Sequence, residues 1–317
     1  MAPKIAGIIC THNRDHYLEG AIDSLLAQTC PDCEILVVDN ASTDKTRQVA
    51  ESRLGDGRLK YVYEPILGLS TARNRGAQET RAPILAYLDD DAIASPQWLQ
   101  ILLNAYENNE KLAVAGGKVT LIWPPGYSQP NWLSDQLAGS LGAFDLGDNV
   151  IYISQADLTP RGVNYSIRRD FLEKIGGFDP NLGRIGKKLL SNEELYTTEL
   201  ALAQGWQVGY FPAALVEHNV APERINRQWF MRRSWWQGIS EHYREEVAGR
   251  TGLAQFGRGG ERLVRGLVKS VKFINDPAKS FDNLLYAYGQ IGYLSEAIKA
   301  MLTPQKSIIV NKWIKKR

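Results

Sequence analysis

Three adjacent carboxylates, Asp89, Asp90 and Asp91, directly follow an apolar run at residues 83–88. Neighbouring like charges repel one another, and a folded chain tolerates them best beside a cation. Carboxylate oxygens are hard ligands that suit Mg²⁺ or Mn²⁺, which proteins usually hold with one or two carboxylates together with substrate phosphates. The sequence therefore predicts a divalent-metal site here. The alternative is a solvated turn in which Asp90 or Asp91 caps the next helix.

Two other polar clusters follow apolar runs earlier in the chain. Residues 11–14 read Thr-His-Asn-Arg after the first run, and Asp39 and Asn40 follow the second. Ligands of open α/β sheets bind outside the C-terminal ends of the strands. We therefore expect both clusters to share one rim of a sheet with the three aspartates.

The elements that must position these residues alternate between short apolar runs and amphipathic stretches. Strands are predicted at 4–10, 34–38, 59–63 and 83–88, and helices at 17–28, 44–53, 69–79 and from after Pro96 to about 108. Ser42 or Thr43 is the expected N-cap of the second helix. Strands that alternate with helices indicate βαβ units, and hence an α/β fold with a mixed, mainly parallel sheet and helices on both faces.

The remaining two thirds of the chain are less regular. Residues 123–149 are rich in Pro, Gly, Asn and Ser, and a loop of that length is often a functional lid. Short strands are predicted at 162–167 and 206–210, short helices at 169–175 and 192–204, and longer helices at 228–247, 260–273 and 282–302. The chain is thus expected to divide into an α/β domain at 1–220 and a helical C-terminal region at 221–317.

Composition and missing motifs exclude several protein classes. The 317 residues are 44% hydrophobic and 23% charged, which excludes a collagen, a disordered tail protein and a disulfide scaffold. The phosphate-binding patterns G-x-G-x-x-G and G-x-x-x-x-G-K-[ST] are missing, as are H-E-x-x-H and G-x-S-x-G. With three cysteines, no signal peptide and no transmembrane run, we expect a cytoplasmic protein with reduced thiols.

Eight motifs taken together resemble those of the family 2 glycosyltransferases. They are C-T-H-N-R (10–14), V-V-D-N-A-S-T-D (37–44), S-T-A-R-N-R-G-A (70–77), L-D-D-D (88–91), G-V-N-Y-S-I-R-R (162–169), G-G-F-D (176–179), N-E-E-L (192–195) and G-W-Q-V-G-Y-F-P-A-A-L-V-E-H (205–218). The likeness covers roughly residues 3–220 in order. It implies the GT-A nucleotide-sugar-binding fold and an inverting transfer from a nucleoside-diphosphate sugar.

The resemblance implies a nucleotide pocket after the first two strands. Thr11, Asn13 and Arg14 would line this pocket, and Asp39 would accept a hydrogen bond from the imide N–H of the base. Arg75 would lie near the nucleotide or its phosphates, the alternative being an ordinary arginine on a helix surface. UDP is the nucleoside diphosphate that we expect.

The resemblance also implies roles for the three aspartates. Asp89 would hold the ribose, Asp91 would bind the Mn²⁺ or Mg²⁺ that bridges the two phosphates, and Asp90 would point away behind them. His218 resembles the family's histidine near the metal or the diphosphate. The alternative for His218 is a structural histidine whose ring nitrogens are satisfied by the protein.

Transfer to a hydroxyl with inversion requires a general base on the face opposite the departing diphosphate. In the family this base is the second acid of a pair that opens a helix about eleven residues before a glycine. Glu193 and Glu194 precede Gly205 here, so Glu194 falls on the base position, where the family more often has Asp. Glu193 is the second candidate. The alternative is that both glutamates only favour a helix N-terminus through its dipole.

Three further residues are candidates for contacts with donor or acceptor. Asn164 and Arg168 lie in the segment that approaches both substrates in the family. Trp132 lies in the Pro-rich loop and could stack on a sugar ring or pack in the core.

The charge of the chain is distributed unevenly. Residues 221–317 carry 18 Lys and Arg against 8 Asp and Glu, whereas residues 1–220 carry 19 against 27. Basic helix faces with interleaved aromatic residues suit an anionic membrane surface, and the alternative is that these helices pack on the catalytic domain with their charges in water. No recognition motif supports nucleic acid as a partner. The terminal basic cluster, which we expect to be solvated, is Lys312, Lys315, Lys316 and Arg317.

The sequence therefore predicts an inverting, metal-assisted glycosyltransferase of glycan or polysaccharide synthesis. Its acceptor would be a hydroxyl of a glycan or of a lipid-linked sugar, and it would act in the cytoplasm, with the inner face of the membrane as a site of peripheral association. Two alternatives stay open at this point: a nucleotide-sugar-binding protein without catalysis and a sugar nucleotidyltransferase.

Overall fold

The computed structural model describes residues 2–250 and 253–302. The basic cluster expected to be solvated, Lys312 to Arg317, lies outside the described residues. The strands are β1 (Ile5–Thr11), β2 (Cys33–Asn40), β3 (Leu59–Glu64), β4 (Ile84–Asp89), β5 (Ala92–Ala94), β6 (Leu112–Gly116), β7 (Val119–Ile122), β8 (Ile151–Tyr152), β9 (Asn164–Arg168), β10 (Gln207–Tyr210) and β11 (Val216–Asn219). The helices are α1 (Asp15–Leu26), α2 (Thr46–Glu51), α3 (Leu69–Gln78), α4 (Trp98–Glu107), α5 (Asp135–Ala138), α6 (Arg169–Lys174), α7 (Glu193–Ala203), α8 (Arg227–Val247), α9 (Leu253–Lys272) and α10 (Pro277–Leu302).

Within these residues the main sheet has eight strands in the order β3-β2-β1-β4-β9-β6-β10-β8. The pairs β1–β2, β2–β3, β1–β4 and β6–β10 are parallel, while β9 runs antiparallel between β4 and β6. Strand β2 is buried along its whole length, as expected for a strand covered on both faces. The predicted mixed, mainly parallel α/β sheet is confirmed.

Helices cover both faces of this sheet. At the centre of β1, Gly7 faces Leu25 of α1 and Leu99 of α4, whereas its neighbour Ile8 contacts Gly76 of α3. Successive strand residues point to opposite faces, so α1 and α4 lie on one side and α3 on the other. The four predicted βα pairs at the start of the chain agree with the structure to within a few residues.

The predicted N-cap of the second helix is wrong. The helix α2 begins at Thr46, whose backbone N–H donates to Asp44 Oδ1 at 3.0 Å. Ser42 and Thr43 instead bond to Asn13, joining the loop after β2 to the loop after β1. The polar residues before α2 therefore tie two rim loops together.

A second, three-stranded sheet of the described chain has the order β5-β11-β7 and was not predicted. Its strands have three or four residues, too few to show the alternation of apolar and polar residues that predicts a strand. It places His218, on β11, beside Ala92, which directly follows the three aspartates. Two distant segments of the sequence meet at this point.

The C-terminal helices pack on one another and on the loop at residues 123–149. Helix α10 contacts both α8 and α9, and the backbones of α8 and α10 approach so closely that a Cβ on Gly238 would lie 1.8 Å from the carbonyl oxygen of Gly289. Leu133 and Leu141 of the loop share a hydrophobic cluster with Phe230 of α8 and with Phe281 and Leu285 of α10. Among the described helices, none is both long and apolar enough to cross a bilayer. The division at residues 220 and 221 stays a prediction.

Candidate active site

The loops after β1 and β2 form one wall of the site. Asn13 Oδ1 accepts a hydrogen bond from the backbone N–H of Thr43 at 2.8 Å, and the Asn13 N–H donates to Ser42 Oγ at 3.0 Å. Asn13 and Ala41 both have positive φ, at 54° and 59°. Such backbone conformations cost free energy in residues other than glycine and concentrate at functional sites. The mutual hydrogen bonds hold both loops in this geometry.

A first cavity of about 250 Å³ opens at the C-terminal ends of β1 and β4. The predicted site residues in its lining are Thr11, Arg14, Asp89, Asp90 and Asp91. The hydroxyl of Thr11 is buried and has no hydrogen-bond partner among the residues that the structure describes. A buried hydroxyl is normally bonded, so this atom is suited to contact a ligand in the cavity.

A possible metal centre lies at the boundary of this cavity. One ligand atom each from Asp89, Asp91 and His218 lies within 4.8 Å of the others. His218 Nδ1 lies 2.6 Å from the carbonyl oxygen of Leu141 and donates to it, so Nε2 faces Asp91 Oδ1 at 2.8 Å. Metal-binding histidines commonly donate their other N–H in this way. Two carboxylates and an oriented imidazole therefore fit a divalent cation such as Mn²⁺.

Asp91 is surrounded by positive charge. Arg14 Nη2 donates to Asp91 Oδ2 at 3.0 Å, and Arg224 Nη2 lies 3.5 Å from the same oxygen. Burial would raise the pKa of Asp91, but the charges of His218, Arg224 and Arg14 outweigh it and lower this pKa. The pKa of neighbouring Asp90 rises to about 7, because Asp90 is buried and lies beside the negative charge of Asp91. Asp91 thus stays ionised, as a metal ligand must.

A second cavity of about 430 Å³ adjoins the first. The residues that line both cavities are Leu69, Asp89, Arg184 and Arg224. The second cavity extends to the start of α7, where Glu193 and Glu194 lie, and to the loop segment 136–142. The long loop at 123–149 therefore forms part of the wall of the site.

Arg73 of α3 is buried and pairs with both glutamates of α7. Its Nη1 donates to Glu194 Oε1 at 2.8 Å and lies 3.3 Å from Glu193 Oε1. The side chain of Glu194 is 15% exposed, whereas that of Glu193 is 4% exposed. The pKa of Glu193 rises to about 7 because of burial and the charge of Glu194. Glu194 is therefore the more accessible of the two carboxylates.

Gly162 lies directly against this pair. A Cβ at residue 162 would lie 2.0 Å from Glu194 Oε1 and 2.5 Å from Arg73 Nη2. Its φ is not in the left-handed region, so it is the space beside Glu194 that requires a glycine here. The absent side chain leaves room for the Arg73–Glu194 pair.

Some predicted site residues do not line either cavity. Arg75 pairs with Glu79 one helical turn away at 2.7 Å and is 37% exposed, so the alternative of a surface arginine fits better than contact with phosphates. Arg168 donates to the carbonyl oxygens of Leu112, Tyr106 and Asn109, and it holds β6 rather than a substrate.

Asn164 and Trp132 are also structural. The buried Asn164 accepts from Trp98 Nε1 at 2.8 Å and donates to the carbonyl oxygen of Ala214 at 2.7 Å. Trp132 packs edge-on against Phe230 and Phe281, with ring centroids 5.6 and 5.3 Å away. Of its two predicted roles, the structure supports packing in the core.

Asn13 and Asp39 lie at the rim without lining the first cavity. Asp39 is buried and accepts hydrogen bonds from Tyr61 Oη at 2.7 Å and from the Ser42 N–H at 3.0 Å. The predicted contact of Asp39 with a base stays a prediction.

Arg73 was not among the predicted site residues, although its helical spacing from apolar neighbours indicates a buried position. Arg73 is one helical turn from Leu69 and from the buried Ala77, so helical spacing places it on the buried face of α3. Arg75, two positions later, lies on the more exposed side of the helix, where it pairs with Glu79. The other arginines of the second cavity (Arg161, Arg184, Arg224 and Arg233) come from four separate segments and carry no local motif.

Comparisons with known proteins show which family and fold the chain resembles. The family model described as Glycosyl transferase family 2 matches residues 8–176. A glucosyl-dolichyl phosphate glucuronosyltransferase of Haloferax volcanii is 28% identical over 243 residues, covering 75% of this chain and 76% of the relative.

Two solved structures share the fold at low sequence identity. A mannosyltransferase from Pyrobaculum calidifontis in complex with GDP-Man and Mn²⁺ has a TM-score of 0.55 and 19% identity, covering 95% of this chain and 76% of that chain. GalNAc-T7 with UDP, GalNAc and Mn²⁺ has a TM-score of 0.55 and 17% identity. The match covers 76% of this chain but spans only 51% of the GalNAc-T7 chain.

Proposed function

Because the chain belongs to glycosyl transferase family 2, a transferase family with the predicted GT-A fold, we propose that it is an inverting, metal-assisted glycosyltransferase. It takes a sugar from a nucleoside-diphosphate donor and transfers it to a hydroxyl of a glycan or lipid-linked acceptor in glycan synthesis. One observation carries this proposal: two cavities adjoin at a set of metal ligands, and the second of them extends to the partly exposed carboxylate of Glu194.

The first cavity binds the donor in this proposal. Thr11 and the aspartates line it, and Arg14 and Arg224 lie beside Asp91, where they can contact diphosphate oxygens. Solved structures with this fold contain UDP or GDP-Man with Mn²⁺, and we propose UDP with Mn²⁺ or Mg²⁺ for this chain. Asp89, Asp91 and His218 would hold the divalent cation, which would supply positive charge to stabilise the leaving diphosphate.

Glu194 is the general base in this proposal. The acceptor hydroxyl enters the second cavity and gives its proton to the Glu194 carboxylate as its oxygen attacks the anomeric carbon. The bond from that carbon to the diphosphate breaks on the opposite face, so the configuration inverts. Arg73 orients Glu194 through Oε1 and keeps a cation beside it. Glu193 is the second candidate, but its greater burial makes it less accessible to a hydroxyl.

Calorimetric titration of UDP, dTDP and GDP, with and without Mn²⁺, tests the donor site. We expect one nucleotide to bind in a metal-dependent way, Asp91→Ala to abolish that binding, and Asp148→Ala to leave it unchanged, because Asp148 is 93% exposed and away from the site. If no nucleotide binds under any metal condition, the proposal is wrong.

A second experiment measures both donor binding and the rate of sugar transfer, and so distinguishes catalysis from binding alone. Glu194→Gln should bind the donor normally and transfer its sugar about 10²- to 10⁴-fold more slowly. Normal transfer by Glu194→Gln with loss in Glu193→Gln would reassign the base to Glu193. Donor binding without transfer in the unaltered protein, for any acceptor, would favour a nucleotide-sugar-binding protein.

We further propose that α9 binds an anionic membrane surface. Val264, Val268 and Val271 are exposed along one stripe of this helix, with Val271 71% exposed. Arg265, Lys269 and Lys272 form the neighbouring exposed stripe, with the same helical spacing. Such a helix lies in the interface of a bilayer, with its apolar face among the acyl chains and its cations on the headgroups.

Packing on the rest of the protein does not cover this stripe. Helix α9 meets α10 through its small residues, since a Cβ on Gly266 would lie 2.9 Å from the side chain of Ala287. The valine stripe stays exposed, so packing explains only one face of the helix.

Co-sedimentation with vesicles tests this proposal. The protein should bind vesicles with anionic phosphatidylglycerol and not vesicles of phosphatidylcholine alone. Val271→Asp should weaken binding about tenfold or more, because it removes apolar area and adds a negative charge. Val150→Asp adds the same charge at an exposed valine of the α/β domain and should have little effect. Equal binding to both kinds of vesicle would contradict the proposal.

A further inference from the structure

The second cavity is lined by arginines that exceed the carboxylates available to pair with them. Its arginines are Arg73, Arg161, Arg184, Arg224 and Arg233. Arg73 pairs with both glutamates of α7, and Arg224 faces Asp91. In the part of the chain that the structure describes, Arg161, Arg184 and Arg233 make no ion pair with a carboxylate within 4.0 Å. Three guanidinium groups are therefore left without a direct negative partner.

Arg233 projects from α8 and is held only by neutral groups. Its Nη1 donates to Ser191 Oγ at 3.1 Å, to Gln237 Oε1 at 3.2 Å and to the carbonyl oxygen of Leu189 at 3.4 Å. Burial, followed by the positive charge of Arg184, lowers the pKa of Arg233 to about 10. The charges of Glu193 and Glu194 oppose this lowering only in part. A partly buried cation without a direct ion pair is well placed to bind an anionic ligand.

Arg161, in the loop before β9, lines the same cavity and also makes no ion pair with a carboxylate among the described residues. Its guanidinium carbon lies 5.2 Å from the ring centroid of Phe144, which orients it. Its Nε is buried and lacks a hydrogen-bond partner within the described residues. Burial lowers the pKa of Arg161, although the charges of Glu194 and Asp157 partly oppose this. Arg161 therefore retains donor capacity beside Glu194.

Arg161 and Arg233 are absent from the lining of the first cavity, in which we place the donor nucleotide with Arg14. The proposed metal ligands lie where the two cavities meet, with Asp91 at the first, Asp89 at both and His218 at the second. Arg161 and Arg233 line the second cavity together with Glu194. We therefore assign an anion bound by these two arginines to the molecule whose hydroxyl reacts at Glu194.

Resting on the proposed function, we infer that the acceptor carries an anionic group, a phosphate ester or a carboxylate, which Arg161 and Arg233 bind in the second cavity. Guanidinium groups form charge-assisted and often bidentate hydrogen bonds with both kinds of anion. The two sources of such an anion are the phosphate of a lipid-linked acceptor and the carboxylate of an acidic sugar. Arg184 lines both cavities.

Calorimetry on the protein saturated with UDP and Mn²⁺ tests the inference, because the donor site is then blocked. The probes are n-octyl phosphate, methyl glucuronide and the neutral n-octyl glucoside. At least one anionic probe should bind and the neutral one should not. Arg161→Gln and Arg233→Gln should each weaken anion binding about tenfold or more, since each removes charged hydrogen bonds. Arg233→Lys keeps the charge and should retain part of the affinity.

Arg232→Gln is the matched control. Arg232 is adjacent on α8, is exposed and lines neither cavity, so its variant should bind the anion normally. UDP binding with Mn²⁺ is measured first in each variant and also reports whether it folds. Where calorimetry identifies dTDP or GDP instead of UDP, that nucleotide replaces UDP here, and failure of all three to bind to the unaltered protein overturns the proposed function itself. Normal UDP binding without anion binding, or equal losses in Arg232→Gln and Arg233→Gln, overturns the inference alone. Preference for the phosphate or for the glucuronide supports the inference and identifies the source of the anion.

Discussion

Replacement of Gly162 by alanine would displace the proposed base without changing any functional group. The new Cβ would lie 2.0 Å from Glu194 Oε1, whereas real contacts of this kind are essentially never under 3.0 Å. The carboxylate must therefore move by about 1 Å and Arg73 Nη2, 2.5 Å from the new Cβ, by about half as much, because side-chain ends yield more readily than the backbone. A misplacement of about 1 Å at a reacting group can cost about 10²-fold in rate. We expect this loss in Gly162→Ala.

The same change should have little effect on folding. Glu194 Oε1 is the end of a flexible side chain, and the φ of Gly162 is compatible with alanine. Alanine also restricts the unfolded chain, which offsets part of the strain by about 0.4–1 kcal/mol. The stability of Gly162→Ala should thus stay within about 1 kcal/mol of the parent.

The assay is the release of nucleoside diphosphate from the donor that calorimetry identifies, with water or the acceptor as nucleophile. UDP binding with Mn²⁺ and thermal unfolding are measured on the same samples. Gly139→Ala is the matched control, because its Cβ would meet only Arg161 Nη2, at an ordinary contact distance of 3.6 Å in the same cavity. If Gly162→Ala turns over as fast as the parent at full donor occupancy, Glu194 at this position is not the base.

Three further predictions follow from buried groups. Because the pKa of Glu193 is raised from 4.5 to about 7 in the folded state, its protonated form is favoured there, and stability should fall by up to about 3 kcal/mol as pH rises from 4.5 through 7. In Glu193→Gln this pH dependence of unfolding by urea should flatten, and an unchanged profile would contradict the assignment. Arg73→Leu should lower stability by about 3–5 kcal/mol, because it leaves the buried carboxylate of Glu193 and the partly exposed carboxylate of Glu194 without their cation; a loss below about 1 kcal/mol in denaturant titration would contradict this burial of Arg73 and Glu193. Gly238→Ala should reduce the melting temperature by separating α8 from α10, while Gly260→Ala, with open space around it, should not; equal melting temperatures would refute the close crossing.

The local sequence was sufficient for much of the fold and for one side of the site. The apolar runs before residues 11, 39 and 89 are continuous because strands covered on both faces bury every residue, so their positions and their shared rim could be predicted. The aspartates at the end of β4 signalled a metal site because adjacent carboxylates are unfavourable without a cation. The presence of the long C-terminal helices could likewise be predicted from their spacing, but α9 and α10 begin at Leu253 and Pro277, seven and five residues before the predicted starts.

Only the tertiary structure decided which residues meet. Strands β5, β7 and β11 are too short to have a period of their own and form only because they pair with one another, yet they bring His218 to Asp91. Arg73 and Arg75 lie two residues apart in one motif, and the helical rotation between them sends Arg73 to the glutamates and Arg75 to the surface. Asn164 and Arg168 belong to the motifs but bind backbone carbonyl groups that no local pattern reveals.

The arginines of the second cavity show most clearly what the local sequence does not predict. Its unpaired arginines come from the loop before β9, the segment before α7 and helix α8, so their excess of charge exists only after the chain has folded. The sequence determines where each charged side chain lies along the chain. Long-range packing determines which charged side chains meet in one partly buried cavity, where the low dielectric constant makes an unpaired charge costly.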